Sequence, residues 1–268
     1  MKKVLSIAGS DPSGGAGIQA DLKTMCAMGV YGMTVVTAVT VQNTQAVYDV
    51  QEMSAEIVAG QLKAIYSDIP VDGVKIGMVS SSTIIRTIRD KLLEYGAKNI
   101  VVDPVMVSKS GFHLLRPDAV AAVEQLIAIA DIVTPNLPEA ELICGFPVAS
   151  EADMRAAAEH IANMGAKNVL IKGGHLTGGD SGDLLLTADG FTSLPAKRVH
   201  TQNTHGTGCT LSSAIASQLA LGRTVTEAAR ISKEYITQAI TDSFPVGKGV
   251  GPVGHLTALY RKAGMEID

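Results

Sequence analysis

Short runs that are apolar at every position alternate along this chain with longer runs in which apolar residues recur every three or four positions. VLSIA (4–8), MTVVTAV (33–39), GVKIG (73–77), NIVVDPV (99–105), DIVTP (131–135) and NVLIKGG (168–174) are rich in β-branched residues and predict buried strands. Helical periodicity lies near 15–28, 55–67, 81–95, 117–128, 151–164, 208–221 and 224–242. Strands apolar on both sides, each followed by a helix, predict an α/β fold whose mostly parallel sheet carries helices on both faces. After Gly174 the rhythm changes. LLLTADGFTSL sets an Asp-Gly turn between two short runs, a hairpin signal, and two consecutive helices then close the chain. No repeat, low-complexity tract or linker interrupts the pattern, so one domain over residues 1–268 is expected.

Composition refines this picture without redirecting it. With 46% hydrophobic residues and no Trp, the core must be filled by Val, Ile, Leu, Ala and Met. The 22 basic and 26 acidic residues give a net charge of -4 and form no Lys/Arg block, so nucleic acid is not an expected partner. Thr24 to Tyr48 is uncharged, but Gly29, Gly32, Thr37, Gln42 and Asn43 interrupt it, so no membrane span is expected. MKKVLSIAGSD opens like a signal peptide, yet its apolar stretch runs at once into Gly, Ser and Asp. Cys26, Cys144 and Cys209 are odd in number and far apart, which fits a reducing cytoplasm.

The candidate chemistry gathers at one edge. In such sheets ligands bind beyond the carboxyl ends of the strands. Gly9–Gly17, Gln42–Asn43, Met78, Asp103–Met106, Asn136–Glu139 and Lys172–His175 all fall there. GSDPSGGAG (9–17) is Gly-rich, but several residues separate the first strand from its relaxed dinucleotide pattern, and no acid closes the second strand. No GxxxxGK[ST] occurs, which excludes a P-loop.

Asp21, just past that loop, is either a solvated carboxylate or an acceptor for a substrate amine or hydroxyl. Asp103 ends an apolar strand, where an unpaired charge is costly, and so points to a metal or phosphate. Pro138-Glu139 reads as an ordinary helix start; Asp103 and Glu139 could also hold waters around Mg²⁺. Lys172, followed by two glycines, suits a phosphate.

In THGTGCT (204–210), Gly206, Thr207 and Gly208 would expose backbone N–H groups at a helix start, suited to an oxyanion or a moving phosphoryl group. Cys209 stands in the first turn. A helix terminus contributes roughly 0.3–1 kcal/mol, against about 1.36 kcal/mol for one pKa unit. The dipole alone therefore does not make a thiolate, and Cys209 is open as base, nucleophile or inert thiol. A Cys209–His205 nucleophilic pair lacks an orienting third residue, and zinc on His200, His205 and Cys209 lacks a fourth ligand.

Jointly, AGSDPSGGAGIQADLKT, TVVTAVTVQNTQAV, VKIGMVSS, VVDPVM, TPNLPEA, IKGGH and NTHGTGCTLSSAIA strongly resemble the hydroxymethylpyrimidine/phosphomethylpyrimidine kinases of thiamin biosynthesis, in order, from residue 4 to about 255. The resemblance implies a three-layer ribokinase-like fold. It also implies ATP and Mg²⁺ as cofactors, two successive phosphorylations of 4-amino-5-hydroxymethyl-2-methylpyrimidine, and a homodimer. By position it makes Gln42 the pyrimidine-recognising residue, with Asp21, Gly9, Met78 and Val105 around it. Lys172, Asn136, Glu139 and Thr207 become ATP contacts, Asp103 and Glu139 the Mg²⁺ side through water, Gly206–Gly208 the anion hole, and Cys209 the catalytic residue.

Sugar kinases of this fold carry Asp where Cys209 stands. The family's late glycine-rich segment usually has histidines where this chain reads VGKGVGPVGH (246–255), with Lys248 replacing one. Ser10 and Ser13 could receive the phosphate of the intermediate. The rival readings are a pyridoxal kinase on the same scaffold and a pyrimidine-binding protein without catalysis.

Overall fold

A computed structural model describes residues 1–106, 119–174 and 182–265. In chain order the elements are β1 (Lys3–Ser10), α1 (Gly17–Ala27), β2 (Tyr31–Gln42), β3 (Val47–Glu52), α2 (Ala55–Tyr66), β4 (Gly73–Ile76), α3 (Ser82–Glu94), β5 (Ile100–Val102) and α4 (Val120–Ile127). There follow β6 (Ile132–Val133), α5 (Leu137–Cys144), α6 (Glu151–Asn163), β7 (Val169–Ile171), β8 (Asp183–Thr187), β9 (Gly190–Leu194), α7 (Thr207–Ala220), α8 (Val225–Thr241) and α9 (Thr257–Lys262). His175 and the opening residues of the helix expected at 117–128 lie outside the described residues.

The nine strands form one sheet in the order β3-β2-β1-β4-β5-β6-β7-β8-β9. Pairing is parallel from β2 through β7 and antiparallel at both edges. The alternation of strand side chains sorts the core into two halves. Leu5, Ile7, Val74, Ile76, Ile100 and Val102 point to a cluster closed by α2 to α6, with Val58, Leu62, Ile85, Ile88 and Leu126. Val4, Val101, Ile132 and Leu170 point to the other face, under α1, α7 and α8, with Met25, Leu211, Ile215 and Ile236. This is the expected three-layer α/β arrangement.

Helix starts follow local chemistry. Ser54 and Ser81 accept from Ile57 N and Ile84 N, and Ser150/Asp153 and Thr224/Glu227 make reciprocal capping boxes. α7 has small residues where it crosses the sheet, and a Cβ on Gly73 would already stand 3.2 Å from Ala216 O.

Several boundaries differ from the sequence reading. The strands expected at 99–105 and 131–135 pair only over Ile100–Val102 and Ile132–Val133, because beyond them the chain turns into the loops that carry Asp103 and Asn136. β2 runs on to Gln42 because β3, which the apolar pattern did not suggest, pairs with its second half. α5, eight residues long, was signalled by its Pro138-Glu139 start and not by periodicity, and α9, six residues long, by neither.

Candidate active site

Beyond the carboxyl ends of β1, β2, β4, β5, β6 and β7, the sheet edge encloses a cavity of about 440 Å³. Gly9, Gln42, Met78, Asp103, Val105 and Lys172 line it from the strand side, and Gly206 to Cys209 from the start of α7. A second hollow of about 250 Å³ shares Asn136, Lys172, Thr207 and Gly208 with the first and adds Lys197, Arg198 and Lys233. Almost every residue expected at the site is therefore brought together, from positions spread over most of the chain.

Asp21 is the exception. It is fully buried and does not line the cavity. Lys75 Nζ lies 2.9 Å from each of its oxygens, and the Ser6 and Ser213 hydroxyls donate to them. Its carboxylate is thus occupied by protein groups beneath the site. Lys75 takes the slot between Val74 and Ile76 that faces α1 and α7. Burial alone would lower its pKa, but Asp21, then Cys209 and Asp103, hold the ammonium above its ordinary range.

On the wall that the two hollows share, Lys172 Nζ lies 2.8 Å from Asp103 Oδ1 and 3.7 Å from Glu139 Oε2. Glu139 also closes the first turn of α5, accepting from Asn136 N at 2.8 Å while Asn136 Oδ1 accepts from Glu139 N. The helix-start reading of this residue is therefore met, and its carboxylate also faces the Lys172 ammonium on the cavity wall. Burial pushes the Glu139 carboxyl up, and the nearby Asp103 charge adds to this against the pull of Lys172. Asp103 Oδ2 has Ser212 Oγ at 3.4 Å, but that hydroxyl has nearer acceptors in Gly208 O and Cys209 O, at 3.0 and 3.1 Å. Two buried carboxylates facing one ammonium, with an oxygen of Asp103 held only weakly, fit a hydrated divalent cation carried by phosphates better than a closed protein cage. Among the described residues no group of three or more His, Cys, Asp or Glu could hold a metal, which leaves the zinc reading on His200, His205 and Cys209 without support.

Gly206, with φ +78° and no side-chain cap, precedes α7; Thr207 N reaches back to Thr204 O at 3.4 Å, while the next two residues, Gly208 and Cys209, line the cavity at the uncapped helix start. A Cβ on Gly206 would fall 1.7 Å from Gly15 O, so the two glycine loops touch backbone to backbone and only glycine fits. Cys209 is half-buried on the cavity wall, and burial raises its thiol to about 11 against the opposing pull of Lys75. It therefore carries its proton at neutral pH. Alkylation of Cys209 by iodoacetamide should be slow at pH 7 and climb about tenfold per pH unit toward pH 11. A labelling rate already flat above pH 8 would show a thiolate and contradict this.

Asp11 and His205 hold the site together, and the sequence reading gave them no such part. Asp11 accepts from Ser13 N and Oγ, Gly15 N and Ala16 N, and from His205 Nε2 at 2.8 Å. The hydrogen bond from His205 helps hold the Asp11 carboxyl below its usual range against the opposing effect of burial. His205 is thus engaged by Asp11, which speaks against the Cys–His pair. Ser13 spends its hydroxyl on Asp11, whereas Ser10 lines the cavity. Gln42 places Oε1 3.1 Å from Thr40 Oγ1 and Nε2 3.3 Å from His205 Nε2. Lys248 is exposed and lines neither hollow, while its neighbours Gly249 and Val250 strap the loop onto Thr44.

Two hollows sharing a wall of lysine, carboxylates and open N–H groups are what a small-molecule phosphotransferase requires, one for the acceptor and one for the donor. Comparison with known proteins narrows the class. The sequence model described as phosphomethylpyrimidine kinase matches residues 11–254, and the chain belongs to that family. It is 54% identical over 255 residues to the hydroxymethylpyrimidine/phosphomethylpyrimidine kinase of Rhizobium meliloti, covering 94% of this chain and 96% of that one. Among solved structures it superposes on an ADP complex of Bacillus subtilis pyridoxal kinase with TM-score 0.90 and 40% identity, covering 97% and 99% of the two chains. The Staphylococcus aureus pyridoxal kinase bound to AMP-PCP and pyridoxal gives TM-score 0.88 and 36% identity, covering 95% and 93%.

Proposed function

We propose that the chain acts as one kinase domain that uses ATP to phosphorylate 4-amino-5-hydroxymethyl-2-methylpyrimidine and then its monophosphate, for thiamin biosynthesis. The observation that carries this is one cavity lined both by a carboxamide suited to an aminopyrimidine edge, Gln42, and by an anion-binding helix start, Gly206–Cys209. Met78 and Val105 supply apolar walls for the ring.

Asn136, Lys172, Glu139 and Thr207 receive the phosphates, with Lys172 as their counter-charge and the N–H groups of Gly206–Gly208 aimed at the phosphoryl group in transit. Asp103 and Glu139 would hold Mg²⁺ through water, and the ion would neutralise phosphate charge. A thiol that keeps its proton is a poor base. Cys209 then serves to position the hydroxymethyl oxygen, whose proton passes late to the phosphoryl oxygens, as a loose transition state allows. Pyridoxal, another flat six-membered ring with a hydroxymethyl arm, is the proposed side substrate. Localisation is proposed as cytoplasmic. A homodimer is proposed through the exposed Val39, Val41 and Tyr48 of the β2–β3 ribbon, its sedimentation mass being the check.

The purified chain with ATP, Mg²⁺ and either ring should give successive mono- and diphosphates of the pyrimidine, identified by mass. Gln42→Ala should lose this turnover by about two orders of magnitude, as when a site's polar groups are left without their partner. Turnover of pyridoxal alone would reverse the order of the two substrates. Ligand binding without ATP consumption would leave a binding protein.

A further inference from the structure

The proton inventory around Gln42 is overdetermined. Thr40 Oγ1 has a single hydrogen and two atoms within reach, Ser10 O at 2.9 Å and the Gln42 amide at 3.1 Å; with the hydrogen on the nearer Ser10 O, the hydroxyl accepts toward Gln42. The ionised Asp11 carboxylate can only accept, so the His205 Nε2 that it meets at 2.8 Å carries a hydrogen, whether the ring is neutral or charged. A Gln42 nitrogen at 3.3 Å from that Nε2 would set N–H against N–H, and its oxygen at Thr40 would set lone pair against lone pair. The two ends of a carboxamide are nearly the same size, so their assignment follows from the hydrogens around them. With the amide turned over, the Gln42 N–H donates to Thr40 Oγ1, and a Gln42 oxygen faces the His205 Nε2–H as the longer arm of a hydrogen bond shared with Asp11.

From this we infer that Asp11 and His205 are specificity-determining residues. By fixing one ring tautomer, they set the polarity of the Gln42 carboxamide and so the edge that it reads. The oxygen of Gln42 lies on the His205 side and its nitrogen on the Thr40 side. One lone pair and one N–H remain for a ligand in the cavity. A ring carrying an amine next to a ring nitrogen docks with the amine toward the His205 side. A ring carrying an oxo group next to a ring N–H presents the opposite edge and is refused. Neither His205 nor Asp11 needs to touch the ring; they act through Gln42. His205 N also donates to Gly251 O at 3.0 Å, which ties the device to the late glycine-rich loop.

This inference rests on the pyrimidine-kinase reading, and its test separates the two. The quantity to measure is the ratio of kcat/KM for 4-amino-5-hydroxymethyl-2-methylpyrimidine to that for its 4-oxo analogue, a ratio in which damage common to both substrates cancels. The wild-type chain should favour the amine. His205→Leu should reduce that preference by about tenfold, the worth of one buried polar contact left unmade, and should raise KM for the amine more than it lowers kcat. His205→Gln, which can again place an N–H toward Asp11, should restore most of it. Independently, ¹⁵N spectra of the wild-type imidazole should show a protonated Nε2.

A wild-type chain that fails to phosphorylate the amine would sink the kinase reading. A His205→Leu chain with the wild-type preference would overturn the inference alone, as would a wild-type His205 protonated only at Nδ1. The spectrum decides if His205→Leu does not fold.

Discussion

Lys75→Met should destabilise the folded chain by about 3–5 kcal/mol, the cost typical of stranding one charge of a buried pair. Lys75 and Asp21 are both fully inaccessible, and the ammonium meets both carboxylate oxygens at 2.9 Å. Without Lys75, Asp21 keeps two serine donors but no opposite charge, and it must either stay ionised in an apolar layer or take up a proton. For a chain of this size the loss should lower the melting temperature by on the order of 10 °C. Adding Asp21→Asn should recover most of it, since an amide can still serve Ser6 and Ser213 without a stranded charge. Urea titrations of the three chains make the comparison. A single variant within 1 kcal/mol of wild type, or a double variant worse than the single, would show that the pair does not carry this load.

Lys172→Ala should cost stability as well, since it strands Asp103 and Glu139. Its larger effect should be on activity, with kcat/KM for ATP down by about a thousandfold, the scale on which removing a charge-stabilising group slows phosphoryl transfer. Lys172 stands between Asp103 and Glu139, on the wall that both hollows share. Removing it leaves two carboxylates facing the space that a triphosphate must enter. The dissociation constant of the pyrimidine, measured by calorimetry without nucleotide, should barely move, because Gln42 and Met78 do not depend on Lys172. Loss of less than tenfold would shift the phosphate-binding role to the Lys197, Arg198 and Lys233 side of the second hollow.

The edge on which the site lies was legible in the sequence because the strands announce themselves by continuous apolar runs and the unusual residues follow them. Gln42, Asp103 and Lys172 could be placed from that rule, and the Gly206–Cys209 turn from the small residues that open a helix. What escaped was set by partners remote in the chain. Asp21 sits one turn into α1, so its sequence position is equally compatible with facing the cavity or the sheet. Lys75, an interruption inside GVKIG, was the available signal that a buried carboxylate waited on the neighbouring helix. His205 was weighed with Cys209 because the two are four residues apart, while its actual partner lies in the first loop of the chain. β3, VYDVQE, sets Asp49, Gln51 and Glu52 among its six positions, too short and too polar to register beside the buried strands.

The contact between Gly15 and Gly206 joins two segments far apart in the chain, and on the proposed function it bears on when in folding ATP can first be consumed. One loop leaves the first strand and the other opens α7, so the two meet only across nearly every intervening element of the chain. Contacts between such distant segments form late, because chain closure must be met before they contribute. If the turn at Gly206 receives the phosphoryl group as proposed, a nascent or half-unfolded chain should hydrolyse no ATP above background before the acceptor pocket exists.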